Sequence, residues 1–345
     1  MFSSRSFVLM LAWCSCGALP EAPDAGPLAR DAGEVLFDGG TVAVDAGSEV
    51  DAGALLDAGL EVDAGLPDAG GADAGLRLDA GVDAGSPPRD AGFSADAGAQ
   101  RDAITALAVG SACYRYQWRN RGQMPRGYIK GVALSFARGV CLPTRSDIML
   151  VSSAKTTNTQ RDALAWYDAE FTALNFSNAT AGLDTFRHTY TLLIGLGMRE
   201  SSGEHCTGRD TSATNTTSDS AEAGAWQTSY DSRGSSPELP ILFDRYRTST
   251  AGCFLSSYSE GVTCTAANWQ NWGTGADGLL FQRLEKECPG FAAEYAAVML
   301  RVRGGSLGHY GPLRTKAAEL RPECDVMLQG VQAIVTAHPE VCTIL

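Results

Sequence analysis

The 345-residue chain carries 40 acidic and 27 basic residues, a formal net charge of −13, together with ten cysteines. The acidity is uneven: residues 17–103 hold 18 acidic side chains and four arginines, whereas 104–345 hold 22 of each sign. The second part is therefore near neutral and has no basic stripe interleaved with aromatics, so nucleic acid is not an expected partner.

Residues 1–16 read as an export signal: Arg5 is the charged start, Phe7 to Trp13 the apolar core, and Cys14 and Cys16 follow. That core is far short of the roughly 20 residues needed to span a bilayer. A cysteine directly behind it suggests a bacterial lipoprotein, anchored to the membrane through a lipid on Cys14 or Cys16. Leu11 sits three before Cys14, as such a site wants, although Trp13 is bulky where a small residue is preferred. Ordinary cleavage near Ala18 is the alternative. Either way the chain is expected to be exported, to the cell envelope (lipid-anchored, periplasmic or surface) or to the medium.

In residues 17–103 Asp-Ala-Gly recurs twelve times at irregular spacing, with Phe37 and Phe93 as the only aromatics. Such a segment cannot bury enough apolar surface to offset its ordering entropy, and its charge extends it. It reads as a disordered acidic linker with an r.m.s. span of roughly 50 Å. The repeats fit neither the EF-hand loop nor the calcium-binding nonapeptide pattern.

Residues 104–345 are expected to form one mainly α-helical domain. Helical spacing or strong helix formers mark 128–140, 161–174, 184–199, 238–247, 278–287, 291–303 and 326–336. Pro289 and Pro322 fit helix starts or breaks. One small β-hairpin could sit in the polar loop at 204–222. All eight remaining cysteines lie here, an even number that in an exported chain reads as four disulfides with 105 possible pairings. Cys253 with Cys264 and Cys113 with Cys141 are near enough in sequence to be candidates. No C-x₂-C spacing occurs and the four histidines are scattered, so neither a metal nor a cofactor is expected.

The stretch from Tyr190 to Met198 is apolar nearly all round, as in a central buried helix, yet it ends on Arg199, Glu200 and Ser201. Gly195 and Gly197 each cost about 1 kcal/mol in such a helix unless something packs closely on the backbone. Desolvation and the negative helix C-terminus both raise the pKa of a carboxylate placed there. A carboxyl kept protonated near neutral pH is what a glycosidase needs in a general acid. The competing reading is an ordinary helix-end ion pair with a nearby arginine.

"GMRESSG" at 197–203 and "AEAGAWQTSY" at 221–230 together resemble the lysozyme-like superfamily of lytic transglycosylases and goose-type lysozymes. There an apolar helix ends in Glu-Ser, and a later Gly-Leu-Met-Gln stretch lines the cleft. Ala225 and Trp226 stand where Leu and Met are usual, and the insert between the two elements is long. Tyr310 in "GHYGPL" is the best candidate for the family's later aromatic. The resemblance implies Glu200 as catalytic acid, Ser201, Gly224, Trp226, Gln227, Tyr230 and Tyr310 as substrate-binding residues, and peptidoglycan or a related polysaccharide as substrate for a monomer. Asp210, Asp219, Glu222 and Asp231 are candidate second carboxylates, with Glu222 first among them. Trp269 and Trp272 are further candidate sugar platforms. A non-catalytic surface module binding glycan or protein is the alternative, and a chitin-cleaving relative another.

Two short motifs lack their context. Gly304-Gly305-Ser306-Leu307-Gly308 fits G-x-S-x-G without the strand that precedes a nucleophile elbow. Ser152-Ser153-Ala154-Lys155 fits S-x-x-K without its companion motifs.

Overall fold

The computed structural model describes residues 93–308 and 311–345. The export segment with Cys14 and Cys16, the linker up to residue 92, and Tyr310 lie outside the described residues.

The described chain is mainly helical, with one two-stranded sheet. Helices α1 (Phe93–Gly110), α2 (Ala112–Arg115), α3 (Arg126–Cys141), α4 (Ser146–Val151), α5 (Ala163–Trp166) and α6 (Asp168–Ala173) lead to the long α7 (Leu183–Ser201). Then come α8 (Glu238–Thr248), α9 (Leu255–Tyr258), α10 (Ala266–Trp269), α11 (Ala276–Glu287), α12 (Pro289–Val302), α13 (Gly311–Arg314) and α14 (Pro322–Ala337). No helix of the described residues is long and apolar enough to cross a membrane.

Helix α7 is the centre. Residues from Thr185 to Met198 are buried on every side, and α3, α4, α12, α13 and α14 all pack on it. The two glycines permit that packing. A methyl group on Gly195 would overlap the Glu319 backbone, and one on Gly197 would overlap the Tyr128 hydroxyl and the Trp226 indole nitrogen. The helix cost of each glycine is offset by these close approaches.

The linker boundary at residue 103 needs correction. Helix α1 begins at Phe93 and contains the last Asp-Ala-Gly repeat. Its Ala97, Ile104 and Ala108 are fully buried, and the helix packs on α3 and α14. These positions recur at helical spacing, so the final repeat contributes to an apolar helix face. The helix expected over 161–174 is interrupted at Tyr167, giving α5 and α6. Asp162 caps the first of these, accepting from the Leu164 N–H at 3.0 Å.

The hairpin lies elsewhere than expected. Strands β1 (Gln117–Trp118) and β2 (Gly122–Gln123) pair antiparallel, with Gln117 opposite Gln123. In 204–222 local side-chain bonds compete with a ladder. The Asp210 carboxylate accepts from the Ser212 N–H and hydroxyl, and Thr217 and Ser220 bond to each other. One isolated bridge, Ala223 with Thr228, forms just beyond.

The disulfides join Cys113 to Cys324, Cys141 to Cys342, Cys206 to Cys264 and Cys253 to Cys288. Both pairings favoured by closeness in sequence are therefore wrong. Helix α14 returns to pack on α2 and α3, and that return brings the last two cysteines beside the first two. Buried ion pairs brace the same frame. Arg301 bonds Asp162 at 3.0 Å with both side chains 1% exposed, and Glu294 accepts from Arg138 at 2.6 Å and pairs with Arg145 at 2.7 Å.

Candidate functional site

Glu200 sits on the last turn of α7, which stops because Ser202 adopts a left-handed conformation at φ 59°. The Gly203 N–H then donates back to the Gly197 carbonyl at 3.2 Å. Glu200 is half-buried and, among the described residues, makes neither a hydrogen bond nor an ion pair. Its pKa is pushed up to about 8, first by burial and then by the negative charge of Glu222, with Arg121, Arg199 and Asp210 acting more weakly. Arg121 reaches the site from the turn between β1 and β2 and donates to the Arg199 carbonyl. Arg121 and Arg199 lower the Glu200 pKa without pairing with it, so among the described residues the helix-end ion pair expected as the competing reading does not form.

Glu222 is half-buried beside it, and burial raises its pKa too. The Asn215 side chain acts against that shift, while Asp210 and Asp231 add to it. A cavity of about 190 Å³ opens next to Glu222 and Gln227, walled also by Asn215, Thr228 and Asp231. A larger cleft of about 380 Å³ continues from Asp231 to Arg161, Arg303 and Leu307. Glu200 does not line either space. It is tied to the first through Glu222.

The second motif element is brought against the first. The Ser201 hydroxyl lies 2.8 Å from the Ala225 carbonyl and 3.1 Å from the Gly197 carbonyl, and it accepts from the Gly203 N–H. Ser201 is buried and ties the end of α7 to the Ala225 turn. Gly224 (φ 75°) and Gln227 (φ 48°) both take left-handed backbone conformations. The Gln227 amide donates to the Gly224 carbonyl at 2.9 Å, closing a tight turn at the cavity wall. Gly224 is buried and shapes this turn.

The expected aromatic platforms need correction. Trp226 is fully buried and donates its indole N–H to the Leu193 carbonyl at 2.9 Å. It is a core residue that pins the motif to α7. Tyr230 is 9% exposed, packs on Phe243 and Phe281, and donates to Asp277 at 3.1 Å. Trp269 is partly exposed and Trp272 is covered by Arg209 at 4.3 Å, both away from the walls of the two cavities. Asp210 is exposed and held below the usual carboxylate range by Ser212. Asp219 accepts from the Ser218 hydroxyl at 3.2 Å, and its backbone carbonyl accepts from the Asp231 N–H.

One buried carboxyl has no signal in the sequence. Glu285 on α11 is fully buried, and neither of its oxygens has a well-formed hydrogen bond among the described residues. Burial pushes its pKa up to about 8, with the Thr228 hydroxyl acting against that. A methyl group on Gly224 would come within 2.7 Å of the Glu285 carbonyl and 2.9 Å of its carboxyl, so this side chain backs the turn directly. His205, Cys206 and Cys264 also converge within 4.8 Å. The two sulfurs are bonded to each other, which removes them as thiolate ligands. Comparison of the chain with family models, curated proteins and solved structures finds no match.

Proposed function

We propose that the domain is a glycosidase with a lysozyme-like fold, cleaving the β-1,4 bonds of peptidoglycan with Glu200 as general acid and then base. The observation that carries this reading is an unpaired, half-buried glutamate at the end of a buried helix, holding its proton to about pH 8. In the reaction Glu200 gives that proton to the glycosidic oxygen as the bond from the anomeric carbon breaks. The developing cation is captured by a hydroxyl, whose proton returns to the Glu200 carboxylate. If the hydroxyl is the sugar's own 6-OH, the product is a 1,6-anhydro sugar, as in lytic transglycosylases. If it is water, the product has a reducing end, and Glu222 is the neighbouring carboxyl best placed to assist. Four disulfides favour an oxidising, exported setting for such an enzyme. A tether on Cys14 or Cys16 would keep it near a wall polymer at high effective concentration.

The test is to incubate the oxidised protein and its Glu200→Gln variant with peptidoglycan and read the soluble fragments by mass spectrometry. Anhydro-muramyl or reducing-end fragments from the wild type alone are expected, and their identity names the nucleophile. No fragments from either folded protein, with other β-1,4 glycans also intact, would leave a non-catalytic binding module.

A further inference from the structure

The insert between the two motif elements carries a cation that acts on the Glu222 cavity without lining it. Arg209 is half-buried, and its Nη1 donates to the carbonyls of Asp210 at 2.9 Å and Ala213 at 2.8 Å. Its guanidinium lies over the Trp272 ring, 4.3 Å from the centroid. Trp272 is fixed in turn by Gln282 of α11, which accepts from its backbone N–H at 2.8 Å and donates to its carbonyl at 3.0 Å. The same Nη1 lies 3.5 Å from Asn215 Oδ1. A guanidinium offers donors only, so it selects the oxygen end of the amide. That leaves the Nδ2 end for Glu222, with which Asn215 shares the wall of the 190 Å³ cavity. Donation from Asn215 favours the charged form of Glu222, against burial and the charges of Asp210 and Asp231. Glu200 faces it from α7, and the Glu222 charge helps to hold the Glu200 proton. Among the described residues Glu222 has no ion pair, so the Asn215 amide is the group that steadies its charge.

We propose that Asn215, oriented by Arg209, is a positioning residue that presents the Glu222 carboxylate to a water molecule, so that water captures the cleaved sugar in preference to its own 6-hydroxyl. This rests on the glycosidase reading and goes beyond it, since it chooses the nucleophile and names the residues that make the choice. The cavity has room for an ordered water and offers it further partners in Ser220 and Ser229. In the second half of the reaction the water oxygen bonds to the anomeric carbon. One water proton passes to the Glu200 carboxylate left by the first half, and the other O–H donates to Glu222 and stays on the product as its new hydroxyl. Glu222 keeps its charge throughout and acts by orientation. Breaking of the glycosidic bond belongs to Glu200, so the Arg209–Asn215–Glu222 relay governs which product forms more than how fast the bond breaks.

Two measurements on the full oxidised chain test this. Carbon-13 NMR of glutamate-labelled protein follows the titration of Glu222, whose carboxyl signal is identified by its loss in Glu222→Gln. Its midpoint should move up in Asn215→Ala and further up in Asn215→Asp, which cannot donate and adds a charge. Arg209→Lys, which keeps the charge but loses the planar fork, should also move it up. Mass spectrometry of peptidoglycan digests then gives the ratio of reducing-end to 1,6-anhydro fragments. Reducing-end fragments should dominate for the wild type, and Asn215→Ala should lower their share about threefold or more at acid pH. The share should recover as the pH is raised toward neutrality and Glu222 ionises again, a recovery that a merely structural defect would not show. A Glu222 midpoint unmoved by Asn215→Ala, a product ratio unmoved by it, or a loss equal at every pH would overturn the assignment of Asn215 and leave the glycosidase reading intact. Anhydro fragments alone from the wild type would do the same to the water-positioning role. No fragments of either kind from the folded wild type would overturn the glycosidase reading and the relay's part in it, whatever the titration shows.

Discussion

The Ser201 hydroxyl donates to the Ala225 carbonyl at 2.8 Å, joining the residue after Glu200 to the turn that carries Gln227. The bond spans the whole insert between the two motif elements. Ser201→Ala removes this donor from the buried Ala225 carbonyl, while the Gly203 N–H and the Gly197 carbonyl keep their bond to each other. We expect a loss of about 1–3 kcal/mol in denaturant unfolding. In the proposed reaction kcat should fall more than KM rises, because the acid and the turn lose their common register. A KM effect alone would show that Ser201 contacts substrate instead.

Glu200→Gln should fold normally and lose about 10²–10⁴-fold in turnover. For the wild type the active form is the protonated carboxyl, so the rate should hold on the acid side and decline as pH passes about 8. The pH profile of cleavage, measured with soluble glycan strands, checks this. A decline centred near pH 4.5 would mean that Glu200 is ionised in the working enzyme and is not its acid.

Glu285→Gln separates support from chemistry. An ordinary glutamate titrates at 4.5, whereas Glu285 in the folded protein titrates at about 8. Between those values the folded state holds a proton that the unfolded chain has released, so stability falls as pH rises across that window. Glutamine never ionises. The variant should match the wild type near pH 4 and exceed it by roughly 2–5 kcal/mol at pH 8, since each pKa unit is worth about 1.4 kcal/mol. Urea midpoints at several pH values, taken in a Glu200→Gln background to remove the similar contribution of that residue, read the difference. A variant less stable at every pH would mean that Glu285 is ionised and has a cationic partner.

Much of this architecture was legible because it is written in local spacing. The burial of α7, its glycine pair and the carboxylate at its end all follow from the run 190–203. What sequence could not show depends on long-range return of the chain. Cys113 and Cys141 look like partners until α14 comes back and places Cys324 and Cys342 beside them. Trp226 and Tyr230 look like sugar platforms until the turn they flank folds inward on α7 and α11. Glu285, in a run that reads as a polar helix end, becomes a buried carboxyl only because the Gly224 turn covers it. The carboxylate at the end of the buried helix was visible in the sequence, and the walls around it were not.

The disulfides offer a last test, because two of them constrain different things. Cys206–Cys264 ties down the insert bearing Asn215 and Glu222, with His205 packed beside the bond. Cys141–Cys342 fastens the end of α3 to the C-terminal turn, on residues outside both cavity walls. Each closes a long loop, so replacing either pair with serine should cost about 2–5 kcal/mol. Their functional effects should diverge. Without Cys206–Cys264 the insert is no longer held against the 264–270 segment, and the Glu222 cavity loses its fixed wall. Cleavage should then fall more than tenfold under conditions where the protein remains folded. Without Cys141–Cys342 the thermal midpoint should drop while cleavage by the folded fraction stays within about twofold. Equal activity losses from the two double variants would mean that the site depends on overall stability, and that the insert is not part of the substrate wall.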